Sequence, residues 1–210
     1  MSLEIIPIVL GPIENNTYLI ADGESGEAAL IDPSFDAAQV VDTARERGWK
    51  LTRIWLTHAH FDHFAGARDV ADRFAPPLPI GLHGGDLVLW RNGGNAANFG
   101  LSIRTGAEPE VNFYHGQTLH LGAQTLEVRH TPGHTPGHVI FYCADAGVAF
   151  VGDLIFYRGV GRTDLPGGST SALLHSIRTQ VFTLPPATRL LSGHGPQTTV
   201  EEEKRENPFL

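Results

Sequence analysis

Apolar positions fall in short blocks, alternating with polar residues or running unbroken, and glycine and proline separate them. Blocks at residues 3–10, 17–21 and 28–31, punctuated by Gly11-Pro12, Gly23 and Gly26, predict a strand meander. The period then changes. Over residues 35–47, Ala37, Val40, Val41 and Ala44 share one helical face, with Asp32-Pro33-Ser34 placed as a cap and Gly48 as a stop. Residues 51–56 read as a buried strand. A second helix carries Ala67, Val70, Ala71 and Phe74 on one side until Pro76-Pro77 ends it. Residues 78–82 predict a further strand, whereas Asn92-Gly93-Gly94-Asn95-Ala96-Ala97-Asn98 has no period and predicts a long loop. Strand-like blocks resume at 111–114, 125–129, 139–142 and 148–151. Ser169 or Thr170 can cap a helix faced by Leu173, Leu174, Ile177 and Val181; residues 189–191 form a last strand and 201–206 a short polar helix. Strands followed by helix in both halves predict an α+β chain, sheets packed together with helices outside. No linker or composition break interrupts residues 1–210, so one domain is expected.

Composition narrows the partners. Apolar content of 41% and charged content of 18% belong to a folded chain, and 210 residues suffice for a substantial core. The net charge of −8, with 15 scattered basic residues, leaves no basic footprint for nucleic acid. Cys143 is the single cysteine, so no intramolecular disulfide can form; following the block 139–142, it reads as a packing residue. The start reads as a strand rather than a signal peptide, and no run approaches the ~18 apolar residues of a membrane span. A cytoplasmic protein with no membrane contact is the expectation.

The chemistry concentrates in Thr57-His58-Ala59-His60-Phe61-Asp62-His63, four potential ligands within six residues, directly after an apolar strand. Imidazole and carboxylate together suit zinc or a similar first-row metal. Three later stretches repeat the layout of strand, then ligand in a turn: His134 in a Pro/Gly-braced loop, Asp153 after Ala149-Phe150-Val151-Gly152, and His194 in Ser192-Gly193-His194-Gly195-Pro196. Such strand-end clusters point to convergence on one site, and glycine beside them lets backbone approach a crowded centre. His83, His115, His120, His130 and His175 stand singly and are expected to lie outside it. His138, Thr57 and Thr131 are placed to support ligands.

In residue type, order and spacing, His58-x-His60-x-Asp62-His63 with His134, Asp153 and His194 resembles the metallo-β-lactamase superfamily across the chain. The resemblance implies an αββα sandwich of two mixed sheets with a two-metal site at one edge. It implies that His58, His60 and His134 hold a first ion, that Asp62, His63 and His194 hold a second, and that Asp153 bridges them. Two divalent ions are expected, zinc foremost, with iron or manganese as alternatives. They would supply a hydroxide at neutral pH, which Asp62 would orient as the catalytic carboxylate.

Within that superfamily, Gly159-Val160-Gly161-Arg162-Thr163-Asp164-Leu165-Pro166-Gly167-Gly168 and the ending Asn207-Pro208-Phe209-Leu210 resemble a short bacterial glyoxalase II-like subgroup. This implies hydrolysis of an S-acyl thiol such as S-lactoylglutathione by a monomer or homodimer. A single domain without the C-terminal helical substrate-binding region of full-length glyoxalase II is expected. Arg162 and Asp164 stand where those enzymes grip glutathione with lysine and tyrosine. Arg162 is expected to bind a substrate carboxylate, and Asp164 to pair with an arginine or cap a turn. The alternatives are a lactone or ester hydrolase of the same fold, or a persulfide dioxygenase holding one iron through His58, His134 and Asp153.

Overall fold

The computed structural model describes residues 2–210. Strands β1 (Leu3–Leu10), β2 (Asn15–Asp22) and β3 (Glu27–Ile31) form the expected meander, with Ile5 opposite Ile20 and Leu19 opposite Leu30. Helix α1 (Ala38–Glu46) leads to β4 (Lys50–Trp55), and the short helices α2 (Phe61–Phe64) and α3 (Ala67–Ala71) lead to β5 (Ile80–His83). Helix α4 (Leu87–Arg91) precedes β6 (Val111–Phe113). β4, β5 and β6 join in parallel, so six strands lie side by side in chain order.

The second sheet begins with β7 (Thr118–Leu121), β8 (Gln124–His130), β9 (Val139–Cys143) and β10 (Val148–Gly152), all antiparallel. A small hairpin, β11 (Ile155–Phe156) and β12 (Gly159–Val160), precedes α5 (Thr170–Ser176). Then β13 (Arg189–Ser192) joins β10 in parallel, β14 (Thr198–Thr199) closes that edge, and α6 (Val200–Glu206) follows.

Period-2 alternation divides the strand side chains among three cores. Tyr18, Ile20, Ile31 and Trp55 from the first sheet meet Val128, Phe141, Phe150 and Leu191 from the second. The intervening residues Leu19, Leu30 and Ile54 face α1 and α3 through Val40, Val41, Ala67 and Val70. On the far side, Ile140, Ala149 and Val151 pack on Leu173, Ile177 and Val181. The order is helix, sheet, sheet, helix, as the resemblance implies. Strands covered on both faces read as unbroken apolar runs, which explains 148–151. Cys143 is wholly buried in the intersheet core, and Phe141→Ala there would cost about 3–5 kcal/mol.

Four local expectations change. Helix α1 starts at Ala38 without a side-chain cap, because Asp36 turns left-handed (φ 60°) and the Asp32 carboxylate is engaged elsewhere. The second helix is shorter than expected, α3 ending at Ala71 with Phe74 half-buried beyond it, and a separate short helix, α2, holds part of the ligand motif. Residues 92–98 are not an open loop. They form tight 3-10 turns broken by left-handed Gly94 and Asn95, and a Cβ on Gly94 would strike the backbone of Ala59 and Phe61. The elements β7, α4, β11, β12 and β14, of two to five residues each, were too short to leave a periodic signal. Among the described residues no helix is long and apolar enough to cross a membrane.

Candidate metal centre

Four strand ends deliver the expected ligands to one edge of the sandwich. β4 runs into His58 and His60 and then α2 with Asp62 and His63; His134 follows β8, Asp153 follows β10, and His194 follows β13. Two groups form. His58, His60 and His134 each offer a nitrogen within 4.8 Å of the others, as do Asp62, His63 and His194 with one ligand atom each. His60 Nδ1 lies 2.8 Å from His134 Nε2, and His194 Nε2 lies 3.1 Å from Asp62 Oδ2. Asp153 stands between the groups, with Oδ1 3.2 Å from His63 Nε2 and Oδ2 3.6 Å from His134 Nε2 and 3.8 Å from His194 Nε2. Gly193 makes this approach possible, since a Cβ there would overlap Asp153 Oδ1 and the His63 ring.

The donor set fits two cations. His58 Nε2, His63 Nε2 and Asp153 Oδ1 are buried with no hydrogen-bond partner. Several orphaned polar atoms in one cluster are costly unless a bound group satisfies them. The opposite ring nitrogens are fixed by acceptors. His134 Nδ1 donates to the Arg162 carbonyl at 2.8 Å, and His194 Nδ1 to the Ile13 carbonyl at 3.1 Å. Because a carbonyl only accepts, each Nδ1 carries a proton, which leaves Nε2 as the atom turned toward a metal.

Charge divides the two groups. Burial, together with the neighbouring histidines, pushes His58 well below its ordinary value, and burial beside His134 brings His60 down to about 3. Burial lowers His134 as well, against the pull of Asp153. His63 goes the other way: burial opposes its charge, yet Asp153 and Asp62 hold it well above the usual histidine range. His194 is likewise raised by Asp62 and Asp153 despite burial. Burial alone would raise Asp62 and Asp153; His63 beside them reverses the sign, so both carboxyls are lowered.

Two residues that position the ligands did not show in the sequence. Asp32 accepts from Thr57 N at 2.7 Å and Thr57 Oγ1 at 2.6 Å, and it lies 3.0 Å from His63 Nδ1. Thr57 Oγ1 in turn sits 3.0 Å from His58 Nδ1, so one carboxylate orients a histidine in each group. The sequence offers Asp32 as a helix cap; its place at the end of an apolar strand, like that of Asp153, is the available signal of another role. Asp86 accepts from Ala59 N at 3.0 Å, Thr135 Oγ1 at 2.7 Å and Gly137 N at 2.6 Å, tying the His58–His60 segment to the His134 loop. Burial raises its carboxyl against those bonds. Nothing in His83-Gly84-Gly85-Asp86 distinguishes it from a surface turn.

The remaining residues fall beside or away from the cluster. Thr131 Oγ1 lies 2.8 Å from His138 Nδ1, bracing the His134 loop from behind. His83 and His130 stack on each other at 4.1 Å, His175 is exposed on α5, and neither they nor His115 and His120 belong to a ligand group. Arg162 reaches the cavity over the centre, but its side chain is bound to Asp164 through Nε and Nη2, each at 2.8 Å. The pairing expected of Asp164 is therefore with Arg162, and the Arg162 contact with a ligand runs through its carbonyl.

Comparison with known proteins agrees with this geometry. The family described as the metallo-beta-lactamase superfamily matches residues 10–194. The chain is 37% identical to hydroxyacylglutathione hydrolase GloC of Haemophilus influenzae, over 100% of this chain and 98% of that protein. It is 35% identical to the mitochondrial persulfide dioxygenase ETHE1 of Mus musculus, over 92% of this chain and 70% of that one. Among solved structures, BLEG-1 B3 metallo-beta-lactamase superposes with a TM-score of 0.92 at 36% identity, covering 99% of both chains. TTHA1623 in a di-iron-bound form gives 0.88 at 39% identity, covering 98% of this chain and 100% of that one.

Proposed function

The chain belongs to the metallo-beta-lactamase superfamily, whose members are metal-dependent enzymes, and from that premise we propose that it hydrolyses S-acyl thiols at a centre of two divalent ions. The observation that carries this reading is Asp153, whose carboxylate faces both ligand groups, Oδ1 toward His63 and Oδ2 toward His134 and His194. In this reading His58, His60 and His134 would hold one ion, Asp62, His63 and His194 the other, and Asp153 both. Two neighbouring cations would need such a shared anion to offset their repulsion. When bound, the ions would polarise the acyl carbonyl and bring the pKa of water down to about 7.

The chain's own residues do the rest. Asp62 lines the cavity and is held ionised by His63, so it accepts a hydrogen bond from the attacking water and orients it. The Asp32–Thr57 and Arg162–carbonyl contacts fix the imidazole tautomers before substrate arrives. A thiolate leaves without strong acid assistance, which suits a cavity whose lining, among the described residues, includes no lysine, cysteine or tyrosine.

Zinc is the proposed metal, with iron or manganese as alternatives; a di-iron relative makes iron a serious competitor. The likeness to mouse ETHE1 favours a second reading, a persulfide dioxygenase with one iron on His58, His134 and Asp153. Metal analysis with thiol-release kinetics on S-lactoylglutathione and simpler thioesters decides between them. Two ions per chain and metal-dependent thiol release are expected. One iron per chain, with oxygen uptake on glutathione persulfide and no thiol release, would overturn the hydrolase.

A further inference from the structure

The cavity above the ligands has a volume of about 450 Å3, and outside the ligands its walls are mostly hydrocarbon, with Asn95 and Arg162 the polar side chains among the described residues. Phe61 and Phe99 lie against each other on one side, centroids 5.2 Å apart. Phe156 stands edge-on to His194 at 6.3 Å, and Ile13, Val160 and Leu165 complete the wall. Phe99 and Ile13 are 51% and 47% exposed at this mouth, which is high for side chains of their size. Among the described residues Arg162 is the one arginine or lysine in the lining, and the Nε–Nη2 edge of its guanidinium is paired with Asp164. The pair presents no net charge, so a carrier with two carboxylates, such as glutathione, finds no unneutralised cation in the described lining. Thiol carriers in general bear amide and ionised groups; the hydrocarbon of a thioester lies in its acyl half.

Resting on the thioesterase reading above, we propose that this cavity binds an uncharged, apolar acyl chain, that Phe99 and Leu165 determine its length, and that the thiol carrier stays outside without charge recognition. Hydrocarbon against the Phe, Ile, Val and Leu walls gains about fourfold in binding for each methylene taken from water. The lactoyl group, with its hydroxyl, uses almost none of that surface.

The test uses the metal-loaded enzyme and acetyl, lactoyl, butyryl, hexanoyl and benzoyl thioesters on two carriers, glutathione and uncharged N-acetylcysteamine. From acetyl to hexanoyl, kcat/KM should rise about three- to fourfold per methylene, chiefly through KM, and the two carriers should differ by less than about threefold. Phe99→Ala and Leu165→Ala should flatten the dependence on chain length. A preference for lactoyl over hexanoyl overturns the proposal while leaving the thioesterase reading intact. So does a glutathione preference above about tenfold that Arg162→Ala abolishes. If no thioester is turned over, the thioesterase reading fails, and calorimetric binding of the free acids decides the cavity separately. Hexanoate at least about tenfold tighter than lactate supports an apolar site, and equal affinity overturns it.

Discussion

His58, His60 and His134 form a group of neutral rings, all buried and all pushed by burial toward the uncharged form. Asp62, His63 and His194 form a group built around charge, in which the neighbouring carboxylates shift both rings toward the protonated form. The first is ready to coordinate as it folds, because an imidazole must be neutral to bind. The second attracts a cation more strongly but must first release a proton. Imidazoles suit zinc, iron, nickel or copper, whereas carboxylate oxygen also admits manganese. Asp153 and Asp32 are shared by both groups, so the two sites differ in chemistry and remain mechanically one.

Substitutions at the shared residues test that unity most severely. Asp153→Ala should weaken both ions and lower kcat/KM by at least about 1,000-fold, the scale of a lost electrostatic stabiliser. Retention of two ions and full turnover would show that Asp153 bridges nothing. Asp32→Ala should reduce metal affinity about 10–100-fold in both groups, whereas Thr57→Val should affect chiefly the one containing His58. Equal losses in the two variants would mean that Asp32 acts only through Thr57.

Proton release separates the groups. Near pH 7 the second group should give up about one proton or more on metal uptake and the first almost none, read by calorimetry in buffers of different ionisation enthalpy. The same shifts govern the metal-free protein. For His58, His60 and His134 the folded values lie below the unfolded ~6.5, so the unfolded chain binds more protons and stability falls as pH drops below that value. For His63 and His194 the folded values lie above it; their stabilisation is complete below ~6.5 and is lost as pH rises through the folded values. Metal-free melting temperature should therefore peak near pH ~6.5, and bound metal should remove the alkaline decline. A monotonic profile would dissolve the contrast. The smallest effect belongs to His175→Ala, exposed on α5, which should leave metal content and turnover unchanged.

Most of the ligand set was legible because each ligand follows an apolar strand, and strands are the segments a periodic pattern identifies. The sandwich layers were legible in the same way, through runs such as 148–151 that are apolar on both faces. Asp32 was misread because Asp-Pro-Ser before an amphipathic stretch looks like a cap whether or not its carboxylate is free to act as one. Asp86 was missed because its partners at Ala59 and Thr135 lie 27 and 49 residues away. For Arg162 the residue type suggests a carboxylate receptor, and only the position of Asp164 shows the Nε–Nη2 edge of the guanidinium already paired with a carboxylate of this chain.

By itself the sequence determined the inventory: which side chains can hold metal, which strands carry them, and the layered class that places strand ends together. Side-chain type and local periodicity suffice for that. Tertiary structure decided how the ligands divide, which way each ring turns, and that His58 is disfavoured as a cation while His63 is held as one. Those properties depend on distance and burial between segments far apart in the chain. Coulomb attraction across 3.2 Å from His63 to Asp153 leaves no trace in the order of residues.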